Sequence, residues 1–287
     1  MECARTINIQ HIGKGTIIDD SVILPLNYWI GDRVFIGKGV RILGGPFFVG
    51  DYSKIHAGTF IYTQPDVFPD GYVAFGHNTW IGQNSIIDGS GGFRAGDNLG
   101  IGMSSQLYTH ISNGDLLEGC NFHGIKPMRL GDDVWFVGFC LAGPVVAGNK
   151  CIALLGSNVT RDMESNHVYG GNPAVDVISK VGPAYRKISD SKKIVILNDL
   201  KNEFFKSAAG KGLDSKRIFI VSSRDTICRE HKWQTIFDVA TRTYTKRGTE
   251  AEIRFMAWLT RFRAKFTPKD EPSSTLMNSF LSDKAHD

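Results

Sequence analysis

The sequence has no hydrophobic run long enough to cross a membrane. Its apolar stretches fall short of the roughly 18 residues that span a bilayer. The opening segment, MECARTINIQHIGKG, also lacks a basic stretch followed by an apolar one and a small-residue cleavage site, as a secretory signal would have. We therefore expect a cytoplasmic protein without a transmembrane segment.

Cysteine is scarce and shows no pairing pattern. The sequence contains five cysteines, an odd number, widely spaced and without a CxxC motif: Cys3, Cys120, Cys140, Cys151 and Cys228. This spacing argues against a disulfide framework and against a zinc site. We expect free, buried thiols and no bound metal.

The chain has little overall charge, but its two parts differ in sign. The net charge is +4; residues 185–287 contain 21 Lys and Arg against 13 Asp and Glu, whereas residues 1–184 contain 12 against 16. The basic residues of the second part are dispersed among acidic ones and form no nucleic-acid motif, so a nucleic-acid partner is not expected. We predict two domains, 1–184 and 185–287. For the second, the sequence leaves two roles open: binding an anionic or phosphorylated ligand, or extending contacts between subunits.

A six-residue repeat runs through the first of these parts. From Ile30 the sequence reads IGDRVF, IGKGVR and ILGGPF, and after one extra residue VGDYSK and IHAGTF. Similar hexads begin at Ile12, Ile81, Ala95 and Leu130. Each hexad opens on an aliphatic residue, and most carry a small residue in the fifth place.

A period of six fits neither an α-helix nor a simple alternating strand. It fits a three-sided coil of about eighteen residues, in which each hexad forms a short strand and a turn and the opening aliphatic points inward. Gly-rich hairpins are the alternative, but alternation alone does not hold a six-residue phase through so many segments. We predict a left-handed parallel β-helix.

Two segments interrupt the repeat, Thr63–Trp80 and His110–Arg129. Both lack the hexad phase and contain turn residues, so each is expected to leave the coil as a loop. Functional residues often lie on loops that a rigid scaffold positions.

The hexads stop after Val177, and the remaining sequence predicts a small α+β domain. The expected elements are a strand at KKIVILND, a helix over Leu200–Ala209, strands at KRIFIVSS and WQTIFDVATRTYT, and a helix over Thr249–Phe266. Residues beyond about Pro268 are expected to form a flexible tail.

Three motifs close the repeat region: LGDDVWFVGFCLAGPVV from Leu130, ALLGSNVTRDM from Ala153 and HVYGGNPAVDVI from His167. They resemble the IGDDVWIG, IGAGSVVTKDV and Y-x-x-x-G-N-P-A-x-x-I motifs of the hexapeptide-repeat acyltransferases, left-handed β-helix enzymes that use acetyl-CoA. The resemblance covers residues 12 to about 180. The sequence departs from the pattern where Val137, Phe139, Leu154 and Leu155 replace small or polar residues.

This resemblance implies a catalytic histidine at the start of the second interruption. In the family that histidine follows a coil strand and precedes a loop leading back to the IGDDVW coil; His110 stands twenty residues before Leu130. Histidine titrates near pH 6.5 and suits a general base. A carboxylate from the same loop, Asp115 or Glu118, is expected to orient it, although a backbone carbonyl is an alternative.

Other candidates concern the acceptor. His123, in the same loop, is placed to lie beside the acceptor and is the second choice for the base. His77, in the earlier loop, is a candidate to reach a neighbouring subunit. Trp80 offers an aromatic face to a sugar or an adenine.

The resemblance also assigns the cofactor and the assembly. Thr160 and Arg161 align with the family's Thr-Lys pair near the nucleotide of acetyl-CoA, and Gly138 with a position beside the pantetheine arm. Because the family's active sites lie between subunits, we expect a homotrimer.

The function expected is acetyl transfer from acetyl-CoA to a hydroxyl of a carbohydrate, such as a surface polysaccharide or its precursor. One alternative is N-acetylation of an amino-sugar nucleotide or a small amine. Another is a scaffold that has lost catalysis, with binding left to the C-terminal domain. A zinc enzyme of the carbonic-anhydrase type is disfavoured because the histidines are not paired on adjacent coils.

Overall fold

The computed structural model describes residues 9–222 and 233–282, which form two compact units. The first unit takes the residues up to Tyr185 together with the segment from Ser273 onward, and the second is Arg186–Pro272. Within the described ranges, no helix is long and apolar enough to cross a membrane. Cys140 and Cys151 are buried free thiols and Cys120 is half-buried, whereas Cys3 and Cys228 lie outside the described residues.

The first unit is a three-sided parallel β-helix, as the hexads predict. Strands of successive coils pair in parallel and build three sheets, one along each side. The first sheet contains Gln10–Ile12, Tyr28–Ile30, Phe47–Val49, Val73–Phe75, Phe93–Ala95, Met128–Leu130 and Val146–Ala147; the second contains Ile17–Ile18, Phe35–Ile36, Lys54–Ile55, Trp80–Ile81, Gly100–Ile101, Trp135–Phe136, Ile152–Ala153 and the hairpin of Val168–Gly171 with Ala174–Asp176; the third contains Arg41–Leu43, Phe60–Tyr62, Ile86–Asp88, Gln106–Leu107, Leu141–Ala142 and Asn158–Val159.

The core of the β-helix contains the residues that open the hexads, together with fifth-place residues such as Val34 and Val40. Ile30, Ile36, Ile55, Ile81 and Ile101 are all fully buried. They stack on equivalent residues of the next coil, as in the pairing of Ile81 with Ile55 and Ile101. Burial of a continuous apolar column removes these side chains from water and stabilises each coil against its neighbours.

Polar side chains form a ladder along one corner of the β-helix. Each accepts a hydrogen bond from a backbone N–H of the coil before it, with N···acceptor distances of 2.6 to 2.9 Å. Written as backbone donor and then side-chain acceptor, the pairs are Lys14 and Asp32, Asp32 and Asp51, Asp51 and His77, His77 and Asp97, Asp97 and Asp132, and Asp132 and Asn149. The ladder provides acceptors for backbone donors that would otherwise lack them at the turn.

Adjacent coils approach so closely at Gly102 that any side chain would overlap the next backbone. A Cβ added there would overlap the carbonyl oxygen of Val137. We expect Gly102→Ala to lower the free energy of unfolding by about 3 kcal/mol, the upper end of overpacking costs, measured by urea denaturation. Gly143→Ala is the matched control, since no described atom lies within 4 Å of its added Cβ; equal losses in both variants would contradict this explanation.

The two interruptions leave the coil, but the first is shorter than predicted. Val73–Phe75 and Trp80–Ile81 are coil strands, so the first loop ends before Val73 rather than at Trp80. The second forms an antiparallel hairpin of His110–Ser112 with His123–Ile125 and rejoins the first sheet at Met128–Leu130.

The segment after Pro268 is not a flexible tail throughout, contrary to the prediction. Thr267–Pro268 is a strand, and Ser273–Ser282 is a helix that packs on the first sheet of the β-helix. Phe280 of this helix lies 6.0 Å from Phe48, ring centroid to ring centroid, and Met277 is buried beside them. The apolar positions Leu276, Met277 and Phe280 share one helical face, so burial orders the segment.

Phe280 should therefore contribute substantially to the stability of the first unit. Its side chain is 4% exposed. We expect Phe280→Ala to lower the free energy of unfolding by about 3 kcal/mol, the cost of emptying such a site, measured by chemical denaturation. Thr275→Ala, on the exposed side of the same helix, should change it far less; a negligible change in Phe280→Ala would show that the helix is not docked.

The second unit differs from the predicted order of elements. The segment KKIVILND is part of the helix Asp190–Lys206, not a strand, and that helix ends before Ala209. The side chain of Ser189 caps its first turn, and Leu197 and Phe204, two turns apart, are buried on one face. These contacts outweigh the strand preference of the β-branched run Ile194, Val195 and Ile196.

A four-stranded sheet and a second helix complete this unit. The strands are Ile218–Val221, Thr235–Asp238, Thr243–Tyr244 and Thr267–Pro268, in that order across the sheet. The helix Glu250–Arg261 starts after Thr249, whose side chain accepts from the Glu252 N–H, and ends five residues before the predicted Phe266. Short helices occur at Ile178–Val181, in the first unit, and Ser215–Arg217, in this one.

Candidate active site

His110 lies where the chain leaves the third sheet and enters the hairpin. It follows the strand Gln106–Leu107 and the fully buried Thr109, and its backbone begins the strand His110–Ser112. Its side chain is 15% exposed. The imidazole is thus anchored by a rigid coil on one side and accessible on the other, as a catalytic base must be.

The carboxylate of Asp88 holds the His110 ring in place. Asp88 Oδ2 lies 2.6 Å from His110 Nδ1, and the Asp88 side chain is fully buried. The same oxygen accepts hydrogen bonds from the backbone N–H groups of Thr109 and His110, and Oδ1 accepts from the N–H and hydroxyl of Ser90. Asp88 therefore has one fixed orientation.

These hydrogen bonds keep Asp88 ionised. Burial alone raises the pKa of its carboxyl, but the hydrogen bonds from Ser90 and the contact with His110 together outweigh burial, so the pKa lies below its ordinary value. An ionised carboxylate only accepts, so the proton between the two groups sits on His110 Nδ1. In the neutral ring the lone pair is then on Nε2, which is the atom able to take a proton.

Aromatic side chains lie near the His110–Asp88 pair. The Phe68 ring, from the first loop, lies 5.3 Å from the His110 ring, centroid to centroid. Tyr62 pairs with Asp88 in the third sheet. Burial first, and then the Asp88 charge, raise the pKa of Tyr62 to about 12 and that of Tyr108 above its ordinary value. Both phenols are therefore neutral, and the Tyr108 hydroxyl donates to Gln106 Oε1 at 2.8 Å.

The structure places the predicted carboxylates away from the role assigned to them. Asp115 and Glu118 are exposed on the hairpin loop, and Asp115 accepts from the Leu117 N–H. Asp88, which comes from the preceding coil, takes the position next to His110 Nδ1. His123 does lie on the same hairpin, paired with Ser112, with its Nδ1 3.0 Å from the Ser112 hydroxyl.

His77 and Trp80 are coil residues, not loop residues. His77 is fully buried and belongs to the corner ladder, where its Nδ1 accepts from the Asp51 N–H, so it cannot reach an acceptor or a neighbouring subunit. Trp80 lies on the second sheet with its ring 5.0 Å from that of His56. The strand that leads to His110 belongs to the third sheet, so Trp80 and that strand lie on different sides of the β-helix.

The three cofactor candidates lie at corners of the last coils. Thr160 and Arg161 are exposed directly after the strand Asn158–Val159. Gly138 is buried after Trp135–Phe136, has a φ of 151°, and its carbonyl accepts from the Gly156 N–H. A conformation with positive φ favours glycine, which explains the residue type without reference to a ligand.

Sequence reasoning missed Asp88. The signal available was the hexad IDGSGG from Ile87, in which aspartate takes the second place and serine the fourth. The same Asp-x-Ser turn occurs in the first coil, where the Ser21 N–H donates to Asp19. The motif therefore predicts a turn and does not by itself identify a partner for His110. Across residues 9–222 and 233–282, no group of three or more His, Cys, Asp or Glu side chains is arranged to hold a metal ion.

No protein-family model matches the sequence. The chain is similar to several solved structures. The maltose O-acetyltransferase from Clostridium difficile 630 is 27% identical over 37% of this chain and 57% of its own length, with a TM-score of 0.33. A variant of AntD, an N-acyltransferase from Bacillus cereus in complex with dTDP and coenzyme A, is 20% identical over 70% of this chain and 92% of its own, with a TM-score of 0.41. The polysialic acid O-acetyltransferase OatWY is 16% identical over 66% of this chain and 97% of its own length, with a TM-score of 0.39.

This chain thus spans little more than half the length of the maltose O-acetyltransferase. Its own fold and site define it as a hexapeptide-repeat parallel β-helix protein with a His–Asp pair at a coil corner.

Proposed function

We propose that this protein is an acyltransferase that moves an acetyl group from acetyl-CoA to a hydroxyl group of a carbohydrate. The observation that carries the proposal is the His110–Asp88 pair, in which a fixed, ionised carboxylate orients an accessible imidazole. Such a pair is suited to removing a proton from an acceptor hydroxyl.

In the proposed reaction, His110 Nε2 takes the proton of the acceptor hydroxyl as that oxygen attacks the thioester carbonyl. The carboxylate of Asp88 stabilises the imidazolium that forms, and the proton then passes to the departing sulfur. No covalent enzyme intermediate is needed. Acetyl-CoA supplies the acyl group as a thioester.

The last coils have the chemistry to hold such a cosubstrate. Arg161 offers an exposed guanidinium for phosphate and Thr160 a hydroxyl. The side chains of Phe139, Leu141 and Leu155 are 45 to 65% exposed on the same coils and suit the apolar parts of a pantetheine arm. We keep Gly138, which is buried at the corner between them, as a position beside the arm.

Aromatic rings beside His110 support a carbohydrate as the acceptor. Phe68 contacts the imidazole, and Tyr62 stacks on Phe60 at 4.9 Å, centroid to centroid. Aromatic faces bind the apolar faces of sugar rings, and neutral phenols donate hydrogen bonds to sugar oxygens. We place His123 at the edge of this acceptor site.

A homotrimer is part of the proposal. One outward row of the second sheet includes exposed apolar side chains at Ile17, Phe35 and Trp135, with exposures of 63, 37 and 44%. Lys54, Trp80 and Gly100 lie between Phe35 and Trp135 in this row. A row of this kind is typical of a surface that another protein covers. Light scattering at micromolar concentration should give three times the chain mass; a monomer would contradict this part of the proposal.

The test is calorimetric titration of acetyl-CoA, together with an assay of thiol release in the presence of sugars. Binding with thiol release that depends on a sugar without amino groups supports O-acetylation, and a product that mild alkali hydrolyses identifies an ester. Release only with amino sugars, giving an alkali-stable amide, would redirect the proposal to N-acetylation. Failure to bind acetyl-CoA would overturn the proposal that the protein is an acyltransferase and would favour a scaffold.

A further inference from the structure

A small cavity in the second unit lies outside the proposed active site. Its volume is about 300 Å³, and it is lined by Ala209, Arg254, Ala257, Trp258 and Arg261. Four of these five residues belong to the helix Glu250–Arg261, where they recur at helical spacing on one face. The cavity thus combines two guanidinium groups with small apolar residues and one indole.

Trp258, which lines this cavity, has a buried donor without an acceptor in the described part of the chain. Trp258 is 8% exposed, and its Nε1 is buried with no hydrogen-bond partner among the described residues. Its ring is held by Phe204 and Phe262, with centroids 5.9 and 5.8 Å away. Because a buried N–H without an acceptor is costly, this donor marks a position where a bound acceptor would be favourable.

The two arginines differ in how strongly they are engaged. Arg254 is exposed and pairs with the exposed Glu250, and its Nη1 donates to the Ala209 carbonyl at 3.4 Å. Exposed pairs of this type contribute little, so Arg254 is free to turn to a stronger acceptor. The Arg261 guanidinium lies over the Trp258 ring at 4.8 Å and has no acidic partner within the described ranges.

We propose that this cavity binds the phosphate group of a phosphorylated small molecule. A phosphate has enough oxygens to accept from two guanidinium groups and from the Trp258 N–H together, and arginine forks match its geometry. The ligand would supply an acceptor for the buried Trp258 N–H, which has none among the described residues. The basic character of residues 185–287 favours an anion in the same region.

The test is fluorine NMR of the full chain labelled with fluorotryptophan and titrated with inorganic phosphate, a sugar phosphate and a nucleoside diphosphate. The Trp258 signal, identified as the one missing in Trp258→Phe, should shift and saturate while the other tryptophan signals stay in place. The phosphorylated molecule that saturates it at the lowest concentration identifies the source of the phosphate. If no probe moves the signal, the proposal is wrong.

Substitutions separate a built site from general attraction of anions. By calorimetry with the tightest probe, Arg261→Gln should weaken binding about tenfold, the value of one charge-assisted hydrogen bond. Arg263→Gln removes the same charge from an exposed position outside the cavity lining and should change affinity less than about twofold. Equal weakening in both variants would overturn the proposal. Arg261 is exposed, so its variant should stay folded and keep the test valid even if Trp258→Phe unfolds.

Discussion

Replacing His110 by alanine should lower kcat for sugar-dependent thiol release by about 10²- to 10⁴-fold, the contribution of a positioned general base. The loss should be large because a fixed, ionised carboxylate holds this accessible imidazole at the start of the hairpin that also carries His123. Steady-state assays at saturating acetyl-CoA measure it directly.

The same variant should remain folded and should still bind acetyl-CoA. Asp88 keeps its hydrogen bonds from Ser90, Thr109 and the His110 backbone, so removing the ring should cost only about 1–2 kcal/mol. His167→Ala is the matched control, since His167 Nδ1 also lies 2.6 Å from a carboxylate, that of Asp176, outside the site. Near-normal turnover in His110→Ala would remove His110 from the mechanism.

Replacing Asp88 by asparagine should also reduce kcat by about 10²- to 10⁴-fold, as the loss of an orienting carboxylate does in a catalytic triad. Both carboxylate oxygens accept hydrogen bonds, so the amide group of asparagine cannot satisfy all donors in either orientation. With its NH₂ towards His110, it favours the proton on Nε2 and removes the lone pair that the reaction needs.

This variant should lose stability as well, in a way that depends on pH. Unsatisfied buried donors cost about 1–3 kcal/mol. The pKa of Asp88 is lowered from 3.8, so its ionised form stabilises the fold fully above pH 3.8, and this contribution is lost as the pH falls through the lowered pKa. The difference in unfolding free energy between wild type and Asp88→Asn should therefore shrink on acidification.

Asp19→Asn is a matched control for both effects. Asp19 makes the same turn with Ser21 in the first coil, but it is exposed and contacts no histidine among the described residues. It should leave kcat unchanged and alter stability far less. Equal losses in Asp19→Asn and Asp88→Asn would mean that the turn matters and the contact with His110 does not.

Local sequence patterns predicted some elements of this protein well and others wrongly, for identifiable reasons. The hexad phase located the coil strands because each strand needs only its own inward aliphatic residue. It failed at His77. This residue takes a ladder position that aspartate fills in neighbouring coils, and the sequence pattern therefore assigned it to a loop. It failed again at the helix Asp190–Lys206, where a β-branched run predicted a strand although buried contacts at Leu197 and Phe204 favour a helix.

The sequence by itself determined the three-sided coil, its apolar core and the point at which His110 leaves it, because each follows from a repeat along the chain. Only the tertiary structure decided which group holds His110. Asp88 and His110 belong to successive coils, and their contact depends on how one coil stacks on the next. Stacking likewise decided that Ser273–Ser282 is an ordered helix, since its apolar face becomes meaningful only against Phe48 and Ala74 of the β-helix.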